Sequence, residues 1–299
     1  MNVDQLRSKV IQAACVSDGT RLSRLVRHPI KTLAPYLMRK LSMQRQVNLN
    51  TTWGGRFSGV LPESVTSEIW RSGSFELPVS MALLTFLKAG SVYVDVGAHF
   101  GYFSMLASKL VGADGRVISI EAMPSTFHYL SENITKNATH QNITAFLGAA
   151  FSESTELTFR DYGVVASSLN SAFGARDASH MIKGMGKEVK VHAQTVDSLV
   201  KKFALTKVDL VKIDAESSEK FVLQGMRETL KKYRPAIVME VGDATPAENS
   251  VGELLAQMAG SGYAVYSWNS NHRLQKFQRN GHVPYANLIF YPADHVLSE

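Results

Sequence analysis

From Ser91 onward, short apolar runs alternate with segments of helical period, and this alternation constrains the fold more than any other feature. VYVDV (92–96) precedes YFSMLASKLV (102–111), and RVISIE (116–121) precedes a segment opening at Pro124. A proline in a first helical turn is a start signal, and Phe127, Leu130 and Ile134 form the inward stripe of that helix. Strands follow at ITAFLGA (143–149), ELTFRD (156–161), EVKVHA (188–193), VDLVKID (208–214), AIVMEV (236–241), YAVYSW (263–268) and ANLIFYP (286–292). Helices are expected at 197–204, 218–231 and 250–260. Strands that are apolar throughout, rather than every second residue, are strands buried on both faces. The prediction is an α/β fold, Rossmann-like, with a seven-stranded, mainly parallel sheet covered on both sides. Residues 269–285 are polar and include Gly281 and Pro284, so the last two strands are expected to pair as an antiparallel hairpin.

The segment before this pattern is different. Residues 1–50 hold nine Lys/Arg against Asp4 and Asp18, a net of +7, so the rest of the +6 chain is near −1. In "RLSRLVRHPIKTLAPYLMRKL" leucines and isoleucines lie between the basic residues. This predicts short basic helices broken near Pro29 and Pro35, forming a solvated arm or a surface for an anionic membrane or acidic partner. Residues 51–75, rich in Gly and Ser, read as a loop and short helix. The expected organisation is therefore a helical extension over 1–75 and a catalytic domain over 76–299. The basic arm has no aromatic stacking platform, so nucleic acid is an unlikely partner. Cys15 is the sole cysteine, which leaves no internal disulfide and no CxxC metal pair. The first residues lack the layout of a signal peptide. A cytoplasmic location, peripheral to a membrane through the arm, is the simplest reading, and a homo-oligomer is compatible with it.

The turn in "VYVDVGAHFGYFS" selects among ligands. Open parallel sheets bind them at the carboxyl ends of the strands. The spacing here is Asp95-x-Gly97-x-x-x-Gly101. A dinucleotide fingerprint would need glycines where His99 and Tyr102 stand. A carboxylate at the strand end would repel a pyrophosphate, so Asp95 is expected to face the cationic amino-acid end of S-adenosylmethionine. Glu121 ends the second strand, 20 residues after Gly101, where a carboxylate can accept hydrogen bonds from both ribose hydroxyls.

The blocks "VDVGAHFGYFSMLASKLVGADGRVISIEAMPSTFHYLSENI", "LGAAFSE", "VDSLVKKFALTKVDLVKIDAESSEKFVLQGMRETLKKYRPAIVMEV" and the lead-in "GSFE" resemble the FkbM family of S-adenosylmethionine-dependent methyltransferases. A parallel sheet ending in an antiparallel pair is also how class I methyltransferases finish. The resemblance spans about residues 73–242. It implies O-methylation of a hydroxyl on a sugar, a glycan or a natural product. By position it implies that Gly97, Ala98 and Gly101 line the methionine end, with His99 and Ala122 alongside. Glu121 would hold the ribose, Ala150 and Phe151 would lie near the adenine, and Glu76 would reach in from the entry segment. The fourth-strand block supplies Asp214, Glu216 and Glu219. Ser217 stands where the family form has glycine.

Methyl transfer to a hydroxyl needs alignment and removal of a proton. Asp214, at the end of the strand VDLVKID, is the first candidate base. Glu216 lies two residues on, Glu240 ends the next strand, and His99 lies beside the turn. Asp214 and Glu240 are also the candidate ligands of Mg²⁺ or Mn²⁺. For Glu219 the alternative is an acidic first helical turn. A nucleic-acid methyltransferase is disfavoured, since IDAE replaces the Asn/Asp-Pro-Pro-aromatic segment used on base amines. A cofactor-binding protein without catalysis is the reading that Ser217 alone supports. The polar residues Ser167, Ser168 and Asn170, in a loop expected over 161–187, favour a sugar as acceptor.

Overall fold

The computed structural model describes residues 2–17, 25–169, 186–242, 251–279, 281, 283 and 286–296. Its centre is one sheet built from β3 (Val92–Val96), β4 (Arg116–Glu121), β5 (Ile143–Leu147), β9 (Leu210–Ile213), β10 (Ala236–Val241), β11 (Tyr263–Trp268), β12 (Leu274–Lys276) and β13 (Ala286–Pro292). The strand order is β12-β11-β13-β10-β9-β3-β4-β5. The run from β5 to β10 is parallel, and β13 enters antiparallel to both β10 and β11. The α/β class and the closing hairpin are as expected. The sheet has eight strands rather than seven, because part of the polar stretch 269–285 adds the three-residue edge strand β12.

Helices α5 (Tyr102–Val111) and α6 (Pro124–Asn137) follow β3 and β4, while α7 (Val196–Lys202) precedes β9. The helix expected over 218–231 is two, α8 (Glu219–Gln224) and α9 (Arg227–Tyr233), and the last helix, α10, runs over Val251–Gly260. The break falls at Gly225, where a Cβ would stand 1.9 Å from the Phe151 carbonyl oxygen. Strands β6 (Ala149–Ala150), β7 (Thr155–Asp161) and β8 (Lys187–Gln194) form a separate sheet of order β6-β8-β7. A short 3-10 segment, Val164–Leu169, follows β7. Residues 170–185, most of the expected acceptor loop with Asn170, lie outside the described residues, as does the Ser168 side chain.

The extension departs from the solvated arm read from its charge. It contains α1 (Val3–Ser17), α2 (Pro29–Lys40), an antiparallel hairpin of β1 (Arg45–Asn50) and β2 (Arg56–Leu61), and α3 (Ser64–Ser72). Residues 25–27 are helical, His28 is not, and Pro29 opens α2, so the break expected near Pro29 is present, while Pro35 lies buried within α2 and does not divide it. Leu6, Val10, Trp53, Phe57 and Ile69 share one core with Leu83 of α4 (Leu77–Phe86), Tyr93, Phe100 and Leu106. That core crosses the 75/76 boundary without a break. Asn133 of α6 clasps the hairpin to the turn after β3: its amide donates to the Ser58 and Phe100 carbonyls at 2.8 and 2.9 Å and its Oδ1 accepts from the Ser58 N–H. At the start of α3, the buried Glu63 carboxylate accepts from the N–H groups of Val65 and Thr66 at 2.8 and 2.7 Å. Such a cap contributes about 1 kcal/mol and fixes how the helix enters.

Candidate active site

A cavity of about 300 Å³ opens at the carboxyl ends of β3, β4, β9 and β10, beside the point where the chain order reverses across β3. Its floor is the turn after β3. The N–H groups of Gly97 and Ala98 both donate to the Ile120 carbonyl at 3.0 Å, which ties the turn to β4. His99, with φ +52°, continues the turn and donates its N–H to Glu121 Oε2 at 2.8 Å. Glu121 Oε1 accepts from the Met123 N–H and the Thr126 hydroxyl at 2.9 and 2.6 Å. The carboxylate is thus held rigidly by three donors at the cavity wall.

Lys212, in the middle of β9, is the charged residue the sequence reading passed over. It is 3% exposed. Its ammonium donates to the Gly97 carbonyl at 3.0 Å and to Asp214 Oδ2 at 3.3 Å, and lies 3.7 Å from Asp95 Oδ1. Burial opposes this charge, but Asp214, Asp95 and Glu76 outweigh it and raise the Lys212 pKa. A lysine inside an apolar central strand is the signal that could have found it, since buried ammonium groups occur almost only with partners.

Ten of the expected site residues line the cavity: Glu76, Gly97, Ala98, His99, Glu121, Ala122, Ala150, Asp214, Glu216 and Glu240. Three expected contacts do not. Asp95 is fully buried behind the turn, where its Oδ2 accepts from Ser104 at 2.6 Å. Asp95 is in register with Lys212, which does line the cavity, so it is burial beneath the turn rather than its face of the sheet that keeps its carboxylate off the cavity wall. Burial pushes its carboxyl up, against the opposing pull of Lys212. Gly101 lies under Leu130 at the start of α5. Phe151 stacks on Phe221 with ring centroids 4.8 Å apart.

Among the carboxylates, Glu76 reaches the cavity from the residue preceding α4, in the left-handed region at φ +36°. Burial and the charges of Asp214, Glu240 and Glu68 push it up to about 8, against the pull of Lys212. Glu219 has a structural task. Fully buried, it accepts from the N–H groups of Ala215 and Ser217 at 3.2 Å and shapes the loop that carries Glu216. Ser217 has φ +77°, the conformation glycine adopts freely, and it is buried outside the cavity wall. The departure from the family glycine therefore does not narrow the pocket. His99 shares a 2.7 Å hydrogen bond between Nε2 and Ser167 Oγ, while its buried Nδ1 has no protein partner.

The charged lining decides what can bind. Among the described residues the cavity presents Glu76, Glu121, Asp214, Glu216 and Glu240 against Lys212 alone. Such a site repels a pyrophosphate and suits a cationic nucleoside. Among the described residues no three His, Cys, Asp or Glu side chains converge as a ligand set for a divalent metal. The cation beside Asp214 is the Lys212 ammonium, so the metal reading of Asp214 and Glu240 finds no support among the described residues.

Among curated proteins, the chain is 24% identical over 198 residues to the 31-O-demethyl-FK506 methyltransferase FkbM of Streptomyces tacrolimicus, covering 60% of this chain and 75% of that one. A shorter match, 29% over 83 residues, is to a protein-L-isoaspartate O-methyltransferase of Methanopyrus kandleri, covering 27% and 37%. Among solved structures, methyltransferase FkbM from Methylobacillus flagellatus aligns at 11% identity and a TM-score of 0.42, over 77% of this chain and 56% of that one. The family model for the methyltransferase FkbM domain matches residues 95–265, more than half of the chain and from the end of β3 into β11. The chain belongs to the FkbM methyltransferase family.

Proposed function

We propose that this protein transfers a methyl group from S-adenosylmethionine to a hydroxyl of a sugar, glycan or natural product. The observation that carries the reading is the acidic cavity itself, five carboxylates to one ammonium above a glycine turn. S-adenosylmethionine, when bound, supplies the sulfonium methyl and the thioether leaving group. Glu121, held by His99, Met123 and Thr126, offers its remaining lone pairs to the ribose hydroxyls. Glu76, Asp214 and Glu240 line the opposite end, where Asp214 and Glu240 supply the negative charge that a sulfonium and an ammonium require and Glu76, pushed up to about 8, is mostly protonated at neutral pH.

The same three carboxylates are the candidates for accepting the acceptor's proton. Asp214 is engaged by the Lys212 ammonium at 3.3 Å. Glu76, pushed up to about 8, has the proton affinity a general base needs near neutral pH. The wall away from the turn comes from the extension, with Phe57, Ser64, Val65 and Phe75, and from Leu157, Phe159 and Ser167. It combines apolar faces with hydroxyls, which fits an alcohol carried on a partly apolar scaffold.

The test has two parts. Calorimetry should show S-adenosylhomocysteine binding to the full chain, and no binding would sink the reading. Transfer of a radiolabelled methyl should then be screened over glycans, free sugars and macrolide-like alcohols. Label on an amine, a carboxylate or nucleic acid instead would reject the hydroxyl acceptor.

A further inference from the structure

Helix α2 is turned inside out. Its buried residue is Pro35, and on the same side Arg39 donates to the Pro62 carbonyl at 2.8 and 3.2 Å through two guanidinium nitrogens. On the other side Ile30, Leu33 and Leu37, at spacings of three and four, form one stripe. Ile30 is 75% exposed and Leu37 50%, and Val26 before the helix and Leu41 and Met43 after it are exposed too. Arg27 before the helix, Lys40 at its end and Arg45 at the start of β1 are exposed. Between Asp18 and Glu63 the chain has no acidic residue.

We propose that this face docks on an anionic lipid bilayer, lying in the interface with Ile30, Leu33 and Leu37 inserted and the basic residues against the headgroups. An aliphatic stripe flanked by Arg and Lys is the pattern of interfacial helices. A second copy of the chain is a poorer occupant, because a two-fold contact through this face would set Arg27, Lys40 and Arg45 against their own copies. Among the described residues no helix is long and apolar enough to cross a membrane, so the contact is with the surface. Pro62, which receives Arg39, is followed at once by the capped start of α3, whose Ser64 and Val65 line the cavity. The docking face is thus joined to the wall expected to meet the acceptor.

The experiment is flotation of the full-length protein with vesicles of phosphatidylcholine alone and of phosphatidylcholine with phosphatidylglycerol. Co-flotation is expected with the anionic vesicles only, and it should weaken between about 0.15 M and about 1 M salt. Lys40→Glu should lower partitioning at least about fivefold. Leu33→Glu with Leu37→Glu should lower it at least about tenfold, while S-adenosylhomocysteine binding and thermal melting stay unchanged, since both leucines are exposed. Absence of binding to anionic vesicles overturns the proposal, as does equal binding by the double variant. A dimer dispersed by the same substitutions, or retention on an immobilised acidic polypeptide, overturns it when vesicles are not bound.

Discussion

Gly97 faces the carbonyl oxygen of Asp214 so closely that a Cβ built on it would stand 1.9 Å away. The two residues follow neighbouring parallel strands, β3 and β9. The turn that forms the cavity floor and the strand end that carries a candidate carboxylate are therefore in direct backbone contact. Lys212 completes the joint by donating to the Gly97 carbonyl and the Asp214 carboxylate together.

Gly97→Ala should separate these elements. The residue has φ +74°, so a side chain adds backbone strain to the collision. The expected loss of stability is on the order of 3 kcal/mol or more, read as about 2–4 °C of melting temperature for each kcal/mol. Gly90→Ala is the matched control, because Gly90 has φ +78° with nothing within 4 Å of its Cβ. It should lose only the dihedral cost, about 1–2 kcal/mol. Equal losses would show that the contact with Asp214 is not tight.

The parallel sheet was legible because its strands are buried on both faces and so read as unbroken apolar runs. Glu121 was legible because a carboxylate ending such a run has few other uses. Asp95 was misread: its in-register partner Lys212 reaches the cavity wall, but its own carboxylate is buried beneath the turn after β3, which packing decides and the strand pattern does not show. Strand β2, RFSGVL, is buried over its last five residues and carries no alternation, so nothing local marked it as a strand. The burial of α1 and Trp53 was hidden by the charge around them. Basic side chains dominate the composition of 1–50, while the core contacts of Leu6 and Val10 are set by packing partners far along the chain.

Lys212→Met should be costly in a pH-dependent way. The substitution leaves Asp95, Asp214 and Glu76 facing one another without a cation, and removing one partner from a buried charge cluster costs about 3–5 kcal/mol. The carboxyls can recover part of this by taking up protons. The loss measured by urea unfolding should therefore be larger at neutral than at mildly acid pH. The same loss at both would mean that Lys212 acts by packing alone.

Ser217→Gly should be tolerated or stabilising. At φ +77° serine bears a left-handed strain of about 1–2 kcal/mol, which glycine relieves at the expense of a more flexible unfolded chain. The net gain expected is at most about 1 kcal/mol. Ser217→Val, β-branched and in the same conformation, should lose on the order of 2 kcal/mol or more. S-adenosylhomocysteine affinity should be unchanged in the glycine variant, because Ser217 does not line the cavity. A valine variant as stable as the glycine one would contradict the strain.

Glu76 makes stability depend on pH in a stated direction. Its carboxyl has an ordinary value of 4.5 and is pushed up to about 8 in the folded chain by burial, Asp214, Glu240 and Glu68. The folded state holds that proton more tightly than the unfolded state does. Its contribution is complete below the unfolded value and is lost as pH rises through about 8, at up to about 1.4 kcal/mol per pH unit. The melting temperature should fall from mildly acid to mildly alkaline pH, and Glu76→Gln should flatten that slope and be the more stable form at its alkaline end. If Glu76 also takes the acceptor's proton, kcat/KM rises with pH towards a plateau above about 8, and the glutamine variant loses that limb. A wild-type stability slope matched by the variant would place the titrating group elsewhere. A flattened stability slope with an unchanged rate profile would leave Glu76 a buried acid of the cavity wall and return the proton to Asp214 or Glu240.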